Sequence, residues 1–284
     1  MSALRILVGG CLALAALSGL ASSELSPASA DELVKFDAAA PRLGHVETPL
    51  AGAESARGAP LRGYLTKPNG RGLFPAVVLL HSCLGLPAAR RSIADMVAGW
   101  GYVALFVDDF ATRGIKETCA VDFPEGVSDA FGALAFLARL PFVDPERIAA
   151  VGWSQGADTA LEIASSRFAA AFEAPGGARF KAAAAFYPPC ANLGGAGLKI
   201  PTLVLVGEQD DVTPAADCER LGQAQPGDAS RMKLVVYPRA RHGFDNPEFA
   251  GGVRVSGMWL AYDRGAAERA NSELRDFLAA KLAR

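Results

Sequence analysis

A serine set between two glycines, where an apolar run gives way to good helix formers, is the place in this chain to look for covalent chemistry. The stretch is RIAAVGWSQGADTALEIA, residues 147–164, and the serine is Ser154. Gly152 and Gly156 lack a Cβ, so a strand can turn sharply into a helix there without clashing. Such an elbow lifts the hydroxyl above the sheet with a helix N-terminus behind it. In a chain with 30 glycines the bare G-x-S-x-G spacing says little. Here it occurs once, in the strand–turn–helix setting that it requires. The bland alternative is a tight turn whose serine only caps the helix.

A serine hydroxyl is a poor nucleophile until a base takes its proton, and histidine is the usual base. The chain offers His45, His81 and His242. An elbow of this kind is followed along the chain first by the acid and then by the histidine, and only His242 follows Ser154. It lies in RARHGFD, just after the strand-like KLVVY. Acidic candidates between the two are Asp158, Asp210, Asp211, Asp228, Glu162, Glu173, Glu208 and Glu219. Most fall within helical patterns or away from a strand end. Asp210 and Asp211 directly follow the apolar LVLVGEQ, and both stay open on spacing alone. Acyl transfer also needs donors for an oxyanion. One is the backbone N–H of Gln155, the residue after the serine; the other falls in the loop HSCLG after PAVVLL, where we assign it to the backbone of Cys83. His81 reads as a residue that fixes this loop by hydrogen bonds.

The elements that must position these residues are legible as alternating patterns. Residues 75–80, 102–107, 147–151, 180–187, 201–206 and 233–237 are short apolar runs of buried-strand type. Helical periodicity fills residues 88–100, 127–140, 155–165 and 264–282. Residues 45–50 and 61–66 are expected to form an opening hairpin. Apolar strands alternating with helices imply a mostly parallel sheet covered on both faces, with ligands beyond the carboxyl ends of its strands. No repeat or low-complexity linker breaks the chain after residue 40.

Composition narrows the partners. The chain has 284 residues, 51% of them hydrophobic and 20% charged, with a net charge of −2. That describes a globular protein with a substantial core. Without a basic run or an aromatic-interleaved basic stripe, nucleic acid is excluded as a partner. Arg5, the apolar residues 6–21 and a small-residue tract ending in Ala28-Ser29-Ala30 have the layout of a secretory signal. The expected cleavage site follows Ala30, with Ala21 as an alternative. The apolar stretch is short and broken by glycines, so a periplasmic or secreted protein with no stable membrane insertion is expected, not an anchored one. Residues 31–284 are then read as one domain. Beyond Cys11, four cysteines remain: Cys83, Cys119, Cys190 and Cys218. An even number in an exported protein favours disulfides, and three pairings are open. No close Cys-x-x-Cys spacing supports zinc, and no metal or organic cofactor is implied.

Taken together and in order, VVLLHSCLGL, GWSQG, LVGEQDDVTPAADC and RARHGFD resemble the dienelactone hydrolase family of α/β-hydrolases, from about residue 45 to the C-terminus. The resemblance implies the α/β-hydrolase fold and a hydrolase acting on a small-molecule ester or lactone. It selects Asp210, three residues after Gly207, and matches His242-Gly243-Phe244 to the family's histidine loop. The founding enzymes carry a cysteine nucleophile and an acidic residue in the oxyanion loop; this chain has Ser154 and Ser82, two mutually consistent departures. They also grip a substrate carboxylate with arginines, for which Arg113 is the candidate here. The fold so implied places Cys83 and Cys119 after neighbouring strands, and Cys190 and Cys218 likewise, so the resemblance points to Cys83–Cys119 and Cys190–Cys218 disulfides. A peptidase or amidase on the same fold, or a binding protein that kept the fold without activity, are the alternative readings. Oligomeric state is not encoded in any of these features.

Overall fold

The structure, a computed structural model, describes residues 31–40, 58–123, 125–165, 172, 174–194, 197–224 and 231–284. Its centre is an eight-stranded sheet of β1 (Glu32–Asp37), β2 (Pro60–Thr66), β3 (Phe74–Leu80), β4 (Val103–Asp108), β5 (Val143–Trp153), β6 (Phe180–Phe186), β7 (Thr202–Gly207) and β8 (Met232–Tyr237). Their spatial order is β1-β2-β4-β3-β5-β6-β7-β8. The first two strands run antiparallel to their neighbours, and all remaining pairs are parallel. This is the mostly parallel sheet that the apolar runs imply, in the α/β-hydrolase arrangement that the family resemblance implies.

Burial on both faces explains the composition of the strands. In β3, Val77 and Leu79 point into one core while Val78 and Leu80 point into the other, and none of the four is more than 3% exposed. The first core is closed by α1 (Arg90–Gly99) and α5 (Arg264–Lys281), through Ala94 and Val97 of the former and Ala266, Ala270, Leu274 and Phe277 of the latter. The buried residues of α5 recur every three to four positions, as a helix with one apolar stripe requires. Asp263 starts that helix by accepting a hydrogen bond from the Ala266 amide. The opposite face is covered by α2 (Gly126–Leu137), α3 (Gln155–Ala164) and α4 (Ala215–Gln223). The strand FKAAAAF consists largely of residues with low strand preference. It is a strand because it lies between β5 and β7 with helices on both sides, and small side chains let them approach.

Two elements depart from the sequence reading. Residues 61–66 pair antiparallel with β1 on one side, with Leu33 opposite Tyr64, and with β4 on the other, while residues 45–50, the expected hairpin partner, lie outside the described residues, as do the signal-like residues 1–30. Among the described residues, β1 packs on the core through Val34 and Phe36, with Phe36 stacked on Phe136 of α2 at 5.3 Å. A short hairpin of β9 (Val253–Val255) and β10 (Met258–Leu260) was also not expected. No helix among the described residues is long and apolar enough to cross a membrane.

Disulfides join Cys83 to Cys119 and Cys190 to Cys218, with Cα atoms 4.9 and 5.0 Å apart. Both lie at the carboxyl edge: the first ties the loops beyond β3 and β4, and the second ties the segment beyond β6 to α4, which follows β7. The second closes a loop with a sequence separation of 28. Chain-entropy reasoning gives a bridge of that span roughly 2–4 kcal/mol. Replacing Cys190 and Cys218 together by alanine is therefore expected to lower the unfolding free energy in urea by about 2–4 kcal/mol. An unchanged midpoint would show that this bridge constrains nothing of consequence.

Candidate active site

The elbow is built by close backbone approach. A Cβ on Gly152 would sit 1.9 Å from the Gly156 carbonyl oxygen, and one on Gly156 would sit 2.3 Å from that of Leu80. Between them Ser154 adopts φ 53° and ψ −113°, a conformation that L-residues avoid. Its amide donates to the Phe186 carbonyl, and its own carbonyl accepts from Ala157 and Asp158, the start of α3. The turn is thus pinned on both sides, and the strained residue is the serine itself.

The structure brings Ser154, His242 and Asp210 together. His242 Nε2 lies 2.9 Å from Ser154 Oγ, and His242 Nδ1 lies 2.9 Å from Asp210 Oδ2. With the Nδ1 proton directed at the carboxylate, Nε2 is left as an acceptor facing the serine hydroxyl. Asp210 Oδ1 accepts from the amides of Val212 and Thr213 at 2.9 and 2.8 Å, an Asx-turn that fixes the carboxylate. Asp211 is the solvated neighbour: its side chain is 61% exposed, with Arg241 at 3.8 Å. Glu173 and Asp228 lie outside the described residues.

Thr213 was not anticipated. Its hydroxyl oxygen is 3.0 Å from both the Tyr187 carbonyl and Asp210 Oδ2, and 3.1 Å from His242 Nδ1. One hydroxyl proton serves one acceptor at a time, so the oxygen lone pairs remain to share the Nδ1 proton with Asp210. The only sequence signal for it is its place three residues after an aspartate at a strand end.

The two backbone amides assigned to an oxyanion are braced from one segment. Gln155 is the first residue of α3, where an amide has no acceptor within its own helix. Its side-chain Oε1 accepts from Thr118 Oγ1 at 2.6 Å, while the Thr118 amide donates to the Cys83 carbonyl at 2.9 Å. The adjacent Cys119 carries the disulfide to Cys83. Cys83 and Ser82 line the cavity beside Ser154.

His81 is buried beneath that loop, edge-on to Phe110. Nδ1 lies 2.8 Å from the Ser82 carbonyl and Nε2 lies 2.6 Å from Asp109 Oδ1. The Asp109 contact is an ion-pair approach that lacks hydrogen-bond alignment, so the protonated imidazole is favoured there by charge. Burial opposes that charge, but the charge and close approach of Asp109, the Ser82 carbonyl and the charge of Asp108 outweigh it and raise the pKa. His81 therefore braces the loop from beneath, between the Ser82 carbonyl and Asp109.

A second buried network ties the elbow to the histidine loop. Trp153 Nε1 donates to Asp245 Oδ2 at 2.7 Å, and the Tyr187 hydroxyl donates to Asp245 Oδ1 at 2.8 Å. Trp153 precedes the serine, Asp245 follows His242 by three residues, and the Tyr187 ring packs on the imidazole at 4.6 Å between centroids. Burial raises the pKa of Asp245, against these two donors and the nearby imidazole, which lower it. Tyr187 is pushed well above its ordinary value by burial and by the charges of Asp245 and Asp210, so it stays a donor.

Above Ser154 opens a cavity of about 320 Å³. Leu86, Ile93, Met96 and Phe106 wall it on one side, and Phe249, Met258 and Leu260 on the other. The hairpin is joined to the histidine loop by a bridge between Leu260 and His242, with the Ala261 amide donating to the His242 carbonyl at 3.1 Å. Arg113, the candidate for gripping a carboxylate, does not line this cavity. It makes a two-pronged pair with the fully buried carboxylate of Asp129, at 2.8 and 2.9 Å, and donates to the Asp109 carbonyl. A buried carboxylate needs a partner more than a distant ligand does, and Asp129 comes from the first turn of α2.

Sheet, elbow and facing histidine are those of an α/β-hydrolase. The dienelactone hydrolase family is matched over residues 61–282, and the chain belongs to that family. A Synechocystis protein named as a candidate carboxymethylenebutenolidase is 26% identical over 210 residues, covering 65% of this chain and 81% of that protein. Among solved structures, a dienelactone hydrolase-like promiscuous phosphotriesterase from metagenomic libraries superposes with a TM-score of 0.66 at 21% identity, over 90% of this chain and all of that one. A hyperthermophilic esterase from Pyrobaculum calidifontis gives 0.60 at 17% identity, over 89% and 84% of the two chains. At these identities the superpositions speak to fold alone.

Two measurements check this geometry. Asp245→Ala strands two buried donors, and at about 1–3 kcal/mol for such a loss the protein should become roughly 3 kcal/mol less stable in urea. Asp245→Asn, which keeps one acceptor, should lose less than half as much; equal effects would show that the hydrogen bonds are not the cause. For His81, a folded-state pKa raised above the unfolded value of about 6.5 gives stabilisation that is complete below that value and lost as pH rises through the raised one. The parent should therefore lose more stability than His81→Gln between about pH 6 and 9. Parallel curves would rule out the imidazolium.

Proposed function

We propose that this protein is an exported carboxylic ester or lactone hydrolase that works through an acyl-enzyme on Ser154. The observation that carries the reading is the continuous hydrogen-bonded line from Ser154 Oγ through His242 to Asp210, ending at the floor of an apolar cavity. In the proposed cycle His242 Nε2 takes the serine proton as Oγ attacks the ester carbonyl, and Asp210 stabilises the resulting imidazolium. The amides of Gln155 and Cys83 receive the oxyanion. Collapse of that intermediate expels the alkoxide, which takes the proton back from His242. Water, deprotonated by the same nitrogen, then releases the acid and frees the serine.

Family membership supports hydrolysis as the reaction, and the relative named as a candidate carboxymethylenebutenolidase supports an ester as substrate. Export is supported by the signal layout of residues 1–30 and by two disulfides, which persist in oxidising compartments. Residues 31–284 form the hydrolase domain on this reading.

A fluorophosphonate probe and a panel of short-chain esters, applied to the parent and to Ser154→Ala, test the assignment. The parent should be labelled on Ser154 and hydrolyse esters, and the variant should lose labelling and at least about 10⁴-fold in kcat. A variant as active as the parent would remove Ser154 from the mechanism.

A further inference from the structure

We propose that the site takes uncharged, apolar esters and turns away substrates that carry a carboxylate, an inference that rests on the ester-hydrolase reading above. Among the described residues, neither a lysine nor an arginine lines the cavity. The charged residues that do, apart from the two histidines, are both acidic. Asp245 stands in the wall, held by Trp153 and Tyr187. Glu248 stands exposed at the mouth, 3.3 Å from the Asn246 amide nitrogen, in a turn that Asn246 itself caps.

The nearest cations are committed elsewhere. Arg113 is locked onto Asp129 and the Asp109 carbonyl. Arg90, next to the lining residue Ala89, is paired with Asp31 and lies 3.6 Å above the Tyr64 ring. Arg241 beside the catalytic histidine turns to the Gln209 carbonyl and Asp211. A substrate carboxylate entering between Met96, Phe106, Met258 and Leu260 would give up its hydration, meet neither a lysine nor an arginine among the described residues, and pass Glu248 on the way. An unpaired buried charge of that kind costs on the order of 100-fold in kcat/KM. A hydrocarbon acyl or alkoxy group meets the same walls as a matching surface.

Three ethyl esters of one outline separate charge from polarity: monoethyl adipate, its primary amide, and the branched hydrocarbon analogue. Acid release is followed by titration at constant pH, and the same preparation is labelled with a fluorophosphonate. The hydrocarbon ester should be cleaved best, and the anion on the order of 100-fold less well than the amide of the same shape. Glu248→Arg should raise the anion-to-amide ratio by about tenfold, since it replaces a repelling charge at the mouth by an attracting one. If Ser154 is labelled and the anion is cleaved as well as the amide, the charge exclusion is wrong and the hydrolase reading stands. A ratio unmoved by Glu248→Arg likewise overturns the role given to the mouth. If Ser154 is not labelled and no ester is cleaved, both readings fall together.

Discussion

Everything at the carboxyl edge depends on how closely the turn after β5 approaches the turn after β3. Gly156 lies so near the carbonyl oxygens of Leu80 and His81 that no side chain fits between them. This approach puts the start of α3 beside the HSCLG loop, the two segments from which the proposed oxyanion donors come. The same crowding forces Ser154 into its strained conformation, since the chain has no room to relax into an ordinary turn. Strain of this kind persists only where the surroundings over-determine it. Here they do, through the Phe186 carbonyl on one side and the start of α3 on the other.

Around that point the protein has had to place several charges in poor solvent, and it has done so in closed sets. Arg113 with Asp129, His81 with Asp109, and Asp210 with His242 each pair a buried or nearly buried carboxylate with one cation or one proton donor. Asp245 instead takes two neutral donors. These sets share few members, so each loop can be held rigid by its own partner. Thr118 is the exception, reaching both Cys83 and Gln155 from a single residue. It compensates for the fact that the two donors belong to unconnected loops.

What the sequence disclosed follows the same division. Ser154 and His242 were legible because each stands at the end of an apolar run and the chain order left one histidine downstream; Asp210 was narrowed by its strand end to two neighbours and separated from Asp211 by the family resemblance alone. The sheet was legible because its strands are buried on both faces and so read as continuous runs. β1 was not, since it is an edge strand that packs on the described core through two side chains. β9 and β10 have three residues each, below the length at which alternation can be recognised. Arg113 misled for a physical reason: an arginine at a strand end looks available until its carboxylate is known, and Asp129 lies in a helix that the sequence reading could not orient. Asp245 left no pattern, and Thr213 only its place three residues after a strand-end aspartate, because their roles consist of satisfying neighbours that only the fold assembles.

The hairpin over the cavity carries a last consequence. The His242 imidazole and the wall formed by Met258 and Leu260 belong to one continuous segment, stitched together at Leu260 and Ala261. Any reshaping of that wall is transmitted to the imidazole. The facing wall, Ile93 and Met96 on α1, carries no reacting group. Diversification of this scaffold toward new substrates is therefore less constrained on the helix side, where a changed contour leaves the proton path where it was.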